Sequence, residues 1–326
     1  LGASYIWSAL NHMEVVDDYT IKFHLNHPSP IDLIAASSYA SFIFSKEQAD
    51  KVDDLHEWFA DANECGTGPY TVESWDAGNK LVLKKFDDYW GGWESDKNKF
   101  EKVVIRNIPE ATTARQELTG GDIHYVQRLP YTELQAANES DEVILSKSRS
   151  FQNLFALLNT QKPPLDDVNV RKAISYAFNY QEVIDEVYHE NAIQMRGVIP
   201  HGMWGHGEEG EVPQYNYNIT KAQQLLDESS YAGDIGDYEL EATYVSGNEA
   251  QETILLLLQG ELDKIGIDLN VRGLTVPSLY SKARAENLEE RQHIVMFYWW
   301  PDITSPTSWL NPMFHSYDTI VFQFSY

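Results

Sequence analysis

The stretch 293–300 constrains the fold of this chain more than any other. It is short, apolar, rich in β-branched and aromatic residues, and halted by Pro301. Those properties predict a buried strand. A single carboxylate, Asp302, follows at the strand's C-terminal end, and a helix is predicted to start near Pro306 with Ser305 as its cap. Open α/β sheets hold ligands just beyond the C-terminal ends of their strands. An acid at that place, ringed by aromatic side chains, suits capture of a small cation or an amine.

The rest of the chain divides in two. Up to residue 150 the pattern is strand-rich. Alternation predicts strands over 17–25, 71–75, 79–86 and 102–108, with Ile21, Phe23 and Leu25 on one face of the first. A short helix over 112–120 ends at Gly120-Gly121. Beyond it, strand 151–159 leads into helical spacing at Val170, Ala173, Ile174, Ala177 and Phe178, then at Val183, Ile184 and Val187. Thr220 is read as the cap of a further helix. Strand 238–245, helix 250–265, strand 268–274, helix 276–285 and strand 293–300 complete an α/β layer with crossover connections. The expected domains are 1–150 and 151–326, crossing near 148–152.

Composition narrows the function. The chain of 326 residues carries 24 basic and 50 acidic residues, a net charge of −26. Phosphate binding needs basic patches, so nucleic acid is not an expected partner. Cys65 is the only cysteine, which excludes an internal disulfide and predicts a buried structural thiol. No metal or cofactor motif stands out. His201 and His206 are five apart, unlike the helical ligand spacing of metalloproteases, and Gly66-Thr67-Gly68 lacks the lysine of a phosphate loop. No serine sits in a nucleophile elbow.

Six separate motifs point to one family. Asp17-Asp18-Tyr19-Thr20-Ile21-Lys22-Phe23 opens the series. Cys65-Gly66-Thr67-Gly68-Pro69-Tyr70 and Asp88-Tyr89-Trp90 follow. Then come Leu157-Leu158-Asn159 with Pro163-Pro164-Leu165-Asp166-Asp167-Val168-Asn169-Val170-Arg171-Lys172-Ala173-Ile174, and Ile199-Pro200-His201-Gly202-Met203-Trp204-Gly205. The aromatic stretch 299–311 closes it. In this order they resemble the motifs of extracellular solute-binding protein family 5, the dipeptide and oligopeptide receptors of ABC importers. The resemblance implies a two-lobed α/β fold like that of periplasmic binding proteins (type II, cluster C-like), incomplete at both termini here.

It also implies a non-catalytic, extracytoplasmic and monomeric receptor without cofactor. Its partners would be a short peptide, held between two closing lobes, and the membrane permease of the importer. Asp302 matches the family's acid for a peptide α-ammonium, and the backbone of Tyr298, Trp299 and Trp300 would pair with an extended peptide as an added strand. Trp299, Trp300 and Trp309 would line side-chain pockets or stack on sugar rings, while the two tryptophans before Pro301 equally suit ordinary core and hinge packing; Trp204 covers the site or is structural. An oligosaccharide is the alternative ligand. Met296 stands where peptide binders often have a cation, so the partner of a peptide carboxylate is unassigned. Arg171 is read as a structural ion pair or helix-end contact. A hydrolase or metal-dependent enzyme is the competing class, separated by steady turnover of a substrate.

Overall fold

The computed structural model describes residues 7, 9–37, 41–61, 63–93, 99–301 and 303–314. They form two compact units, one of Leu1–Ser29 with Ser38–Ser148, the other of Pro30–Ser37 with Arg149–Tyr326.

The first unit is built of small antiparallel sheets. Strands β1 (Leu10–Asp17) and β2 (Thr20–Leu25) pair as a hairpin, with Met13 opposite Phe23 and Val15 opposite Ile21. The predicted strand over 17–25 is therefore only its second arm. Asp17 belongs to the first arm and turns the chain by accepting the Tyr19 N–H at 2.8 Å. Helix α1 (Ile31–Ser37) belongs to the second unit; α2 (Lys46–Ala49) and α3 (Leu55–Ala60) return to the first. Strands β3 (Tyr70–Asp76), β4 (Lys80–Lys85) and β5 (Lys102–Arg106) make a three-stranded sheet. Helix α4 (Ala111–Gly120) ends at Gly121, whose φ of 82° is a left-handed conformation that glycine adopts without a Cβ clash. Helix α5 (Tyr131–Asn138) joins α4 through an Arg115–Glu133 ion pair of 2.7 Å.

Two motif segments prove to hold each other. The Trp90 indole N–H donates to the Thr67 carbonyl at 2.9 Å, so the aromatic pair fastens the glycine-proline turn. Cys65, in the same turn, is free but half-buried, not buried as its position suggested. An isolated bridge, Phe44 to Gly66, crosses beside it, and the Ser45 N–H donates to the Cys65 carbonyl at 2.9 Å.

The second unit is one four-stranded mixed sheet between helices. Strand β6 (Asn153–Leu158) leads to α6 (Val168–Ala177), a short α7 (Tyr180–Glu182) and a π-turn at Val183–Val187. Helix α8 (Ile219–Asp227), strand β7 (Glu239–Val245), helix α9 (Glu249–Asp263), strand β8 (Asp268–Leu274), helix α10 (Val276–Ala283), strand β9 (Ile294–Trp299) and helix α11 (Thr307–Phe314) follow. The cap of α8 is Asn218, whose side chain accepts the Lys221 N–H; Thr220, expected in that role, lies inside the first turn. Asp167 caps α6 through the Asn169 N–H. Arg171 donates to the carbonyls of Leu165 and Asp166 at 2.6 and 3.0 Å, a contact at the start of that helix.

Strand order is β6-β9-β7-β8, with β9 antiparallel to β6 and parallel to β7. The alternation of a strand sends successive side chains to opposite faces. Ile294 and Met296 join a core with α6, α8 and α9. Val295 and Phe297 join a second core with Leu279 and Ala283 of α10, Trp309 and Met313 of α11, and Ile199 and Met203. Both faces of β9 are covered, which is why its sequence is a continuous apolar run and not an alternation.

Candidate functional site

Helix α9 packs on one face of this sheet and α10 on the other, so the chain leaves β7 outward to β8 and returns across β7 to β9. The topological switch point therefore falls between the C-terminal ends of β7 and β9, where open α/β sheets bind ligands. Every residue considered below lies on the second unit.

At this edge β9 is paired unevenly. Its ladder with β6 continues to the end, with Leu154 opposite Tyr298 and Asn153 opposite Trp299. Its pairing with β7 covers Ile294 and Val295 and goes no further among the described residues.

Neighbouring segments are fastened to this end. The Asn153 side chain, almost fully buried, donates to the Val198 carbonyl at 3.2 Å. That contact fixes the start of the segment 199–206, which carries Trp204. His206 Nδ1 lies 2.7 Å from the Ile199 carbonyl and closes the same segment on itself. Gly205 sits so near Pro306 that a Cβ there would be 3.3 Å from its ring, placing this loop against the start of α11.

The predicted ligand residues separate into three groups. Trp300 and Trp204 are 60% and 65% exposed and offer free ring surface. Tyr298 and Trp299 are half-buried and hydrogen-bonded: the Tyr298 hydroxyl lies 2.8 Å from that of Tyr188, and the Trp299 indole donates to the Ser308 carbonyl at 2.7 Å. Trp309 has no exposed surface. It is core, one turn from Met313 on the inner face of α11, and cannot line a pocket or carry a sugar ring. Asp302 lies outside the described residues. The segment after it is held by Ser308, whose hydroxyl donates to the Ile303 carbonyl at 2.9 Å, and by Ser305, whose hydroxyl accepts the Thr307 N–H at the helix start.

Sequence reasoning did not find Tyr188 or Asn153. Tyr188 follows what reads as an ordinary helix, and nothing in its neighbours signals a contact with β9. Among the described residues no cluster of histidine, cysteine and carboxylates fits a metal ion, and no helix is long and apolar enough to cross a membrane.

Comparison with known proteins agrees with this architecture. The probable D,D-dipeptide-binding periplasmic protein DdpA of Escherichia coli K12 is 29% identical over 305 residues, 93% of this chain and 56% of that protein. The dipeptide-binding protein of the same organism is 26% identical, over 94% of this chain and 55% of its own length. The chain therefore spans about half the length of these curated relatives. The solved DppA of Helicobacter pylori, an ABC transporter-associated periplasmic binding protein in complex with the peptide STSA, superposes with a TM-score of 0.76 at 26% identity, covering 98% of this chain and 61% of that one. The fold is that of the two-lobed periplasmic binding proteins. Residues 2–320 match the description "Bacterial extracellular solute-binding proteins, family 5 Middle", and the chain belongs to that family.

Proposed function

We propose that this chain is the ligand-holding part of an extracytoplasmic receptor that delivers a short peptide to the permease of an ABC importer. The observation that carries this reading is the uneven pairing of β9. Its registered pairing with β7 covers Ile294 and Val295 while that with β6 runs on to Trp299, and beside the switch point an extended peptide can add at this end as a strand. Main-chain pairing gives affinity without reading side chains. Asp302, next after Pro301, takes the peptide's α-ammonium in a charge-assisted hydrogen bond, worth about 1.5–3 kcal/mol. The peptides named for the relatives agree with this chemistry.

The receptor reading brings with it a one-to-one complex without turnover and a monomeric protein. An oligosaccharide is the second reading, favoured by the exposed rings of Trp204 and Trp300, which suit stacking on a sugar face. Mass spectrometry of material co-purified with the full-length protein distinguishes them. A peptide in stoichiometric amount supports the first; a cello- or manno-oligosaccharide with no peptide binding transfers the site to the second. Steady conversion of any substrate rejects both.

A further inference from the structure

Strand β6 runs antiparallel to β9, and Asn153 at its start stands opposite Trp299 at the end of β9. Residues just before Asn153 therefore lie at the same end of the sheet as the switch point, and Arg149 is one of them. The Ser150 hydroxyl accepts the Gln152 N–H at 3.3 Å, which orders the backbone between Arg149 and the strand.

Arg149 is kept clear of carboxylates in a chain that is rich in them. Arg106, Arg115 and Arg272 each meet a glutamate. Arg149 forms no ion pair among the described residues; its Nη1 lies 3.3 Å from Nδ1 of His201. A guanidinium only donates, so Nδ1 of His201 accepts. That contact uses one N–H of five and leaves most of the fork, with its charge, uncommitted. Both side chains are exposed.

His201 is presented by a rigid turn. Pro200-His201-Gly202-Met203 is a type II turn: the Met203 N–H donates to the Pro200 carbonyl at 3.1 Å, and Gly202 has the left-handed φ, 88°, that the third position of such a turn requires. Ile199 and Met203 on either side are buried in the second core. Gly202 faces Phe151, whose ring would be 4.0 Å from a Cβ there. The His206 ring packs edge-on against that of His201, with centroids 5.3 Å apart. The turn thus has its own anchors, and its second position, where proline is favoured, needs no histidine for the fold.

We propose that Arg149 holds a carboxylate of the bound peptide, the C-terminal one, and that His201 is a positioning residue that fixes the guanidinium. This rests on the peptide-receptor reading above and names the group that reading leaves without a partner. A carboxylate accepts two parallel N–H bonds from a guanidinium fork, and the fork is the part of Arg149 left over. Strand β9 offers no cation for the purpose, since Met296 occupies the core. In a chain of net charge −26, a guanidinium without a carboxylate of its own gives an anionic group a place from which it is otherwise repelled.

The test is calorimetry on the full-length protein, with alanine di- to pentapeptides and their C-terminal amides as probes. The unsubstituted protein is expected to prefer the best-bound free acid over its amide about 10- to 100-fold, the range of a charge-assisted contact. Arg149→Gln is expected to abolish that preference by weakening the acid and leaving the amide unchanged. His201→Ala is expected to reduce it, and His201→Asn, which returns an acceptor beside the guanidinium, to restore it. A merely structural role for His201 would weaken acid and amide alike, and that result overturns its positioning role. The C-terminal amide of Ala-Glu-Ala separates a terminal from a side-chain carboxylate. If Arg149→Gln weakens only this probe, the assignment to the terminus is overturned. Equal affinity of the unsubstituted protein for acid and amide overturns the inference and leaves the receptor reading intact. No binding of any probe by the unsubstituted protein overturns both. Because both side chains are exposed, the variants are expected to melt with the unsubstituted protein, and melting curves accompany the titrations.

Discussion

The indole N–H of Trp299 donates to the carbonyl of Ser308 at 2.7 Å, and this bond ties the last residue of β9 to the first turn of α11. The intervening loop holds Trp300, Pro301 and Asp302. Its far side is fixed by the Ser308 hydroxyl on Ile303. Anchors on both sides, at Trp299 and at Ile303, lessen the conformational freedom that is lost when a solute binds.

Trp299→Phe keeps an aromatic ring, smaller than the indole, and removes this donor. The variant should melt within a few degrees of the unsubstituted protein, since one neutral hydrogen bond is worth about 0.5–1.5 kcal/mol. It should bind peptide several-fold more weakly, because the loop then pays its ordering entropy at binding. Melting curves and calorimetry on the same preparation check both halves.

Trp300 and Trp309 should respond oppositely to truncation. Trp309 is wholly inside a core with Phe297, Val295 and Met313, so Trp309→Ala should cost about 3–5 kcal/mol of stability. Trp300 is 60% exposed, and Trp300→Ala should leave the denaturation midpoint nearly unchanged while altering ligand affinity. Urea denaturation of the two variants separates the core ring from the surface ring.

His293 gives the second unit a dependence on pH. Its Nδ1 accepts the backbone N–H of Glu241 at 3.0 Å, which requires the neutral ring. Burial and the nearby Lys162 ammonium push its pKa down to about 4, with Glu241 pulling upward and Lys282 downward. Unfolding releases the ring to its ordinary range near 6.5, so between these values the unfolded chain binds more protons. This contribution to stability is complete above about pH 6.5 and is lost as pH falls toward about 4. His293→Gln, which retains an acceptor, should flatten the slope of unfolding free energy over that window. An unchanged slope would show that the ring is not held neutral.

Much of the second unit was legible in the sequence because its helices and strands bury whole faces. The run at 294–299 announces a strand covered on both sides, and the spacing of Val170, Ala173, Ile174 and Ala177 announces one inner helix face. The caps were less legible. Asn218 and Thr220 are both good capping residues, and only the backbone decides that Asn218 stands outside the helix. Trp309 was misread for a related reason: a tryptophan one helical turn from Met313 has the same spacing whether it faces a core or a ligand. Tyr188 left no signal, since its partner is 110 residues away and neither periodicity nor motif connects them. In the first unit, the sheets leave Met13, Val15 and Ile21 more than half exposed, so alternation there marks the strands without marking a covered face.

The amino terminus of a bound peptide should matter more than its side chains. Asp302 is the one carboxylate of the aromatic loop, and main-chain pairing along the end of β9 would not distinguish one sequence from another. Acetylating the peptide removes its positive charge and leaves Asp302 opposite a neutral amide. Breaking a buried charge pair by removing one partner costs about 3–5 kcal/mol, which corresponds to roughly two to three orders of magnitude in affinity. Asp302→Asn should weaken free peptides by a similar factor and acetylated peptides far less, because the charge pair is already absent there. The four affinities form a double-mutant cycle, read by calorimetry on the full-length protein, with a coupling of the size of either single loss. Equal affinity for free and acetylated peptides would remove Asp302 from the amine-binding role and leave the main-chain ladder as the principal source of affinity.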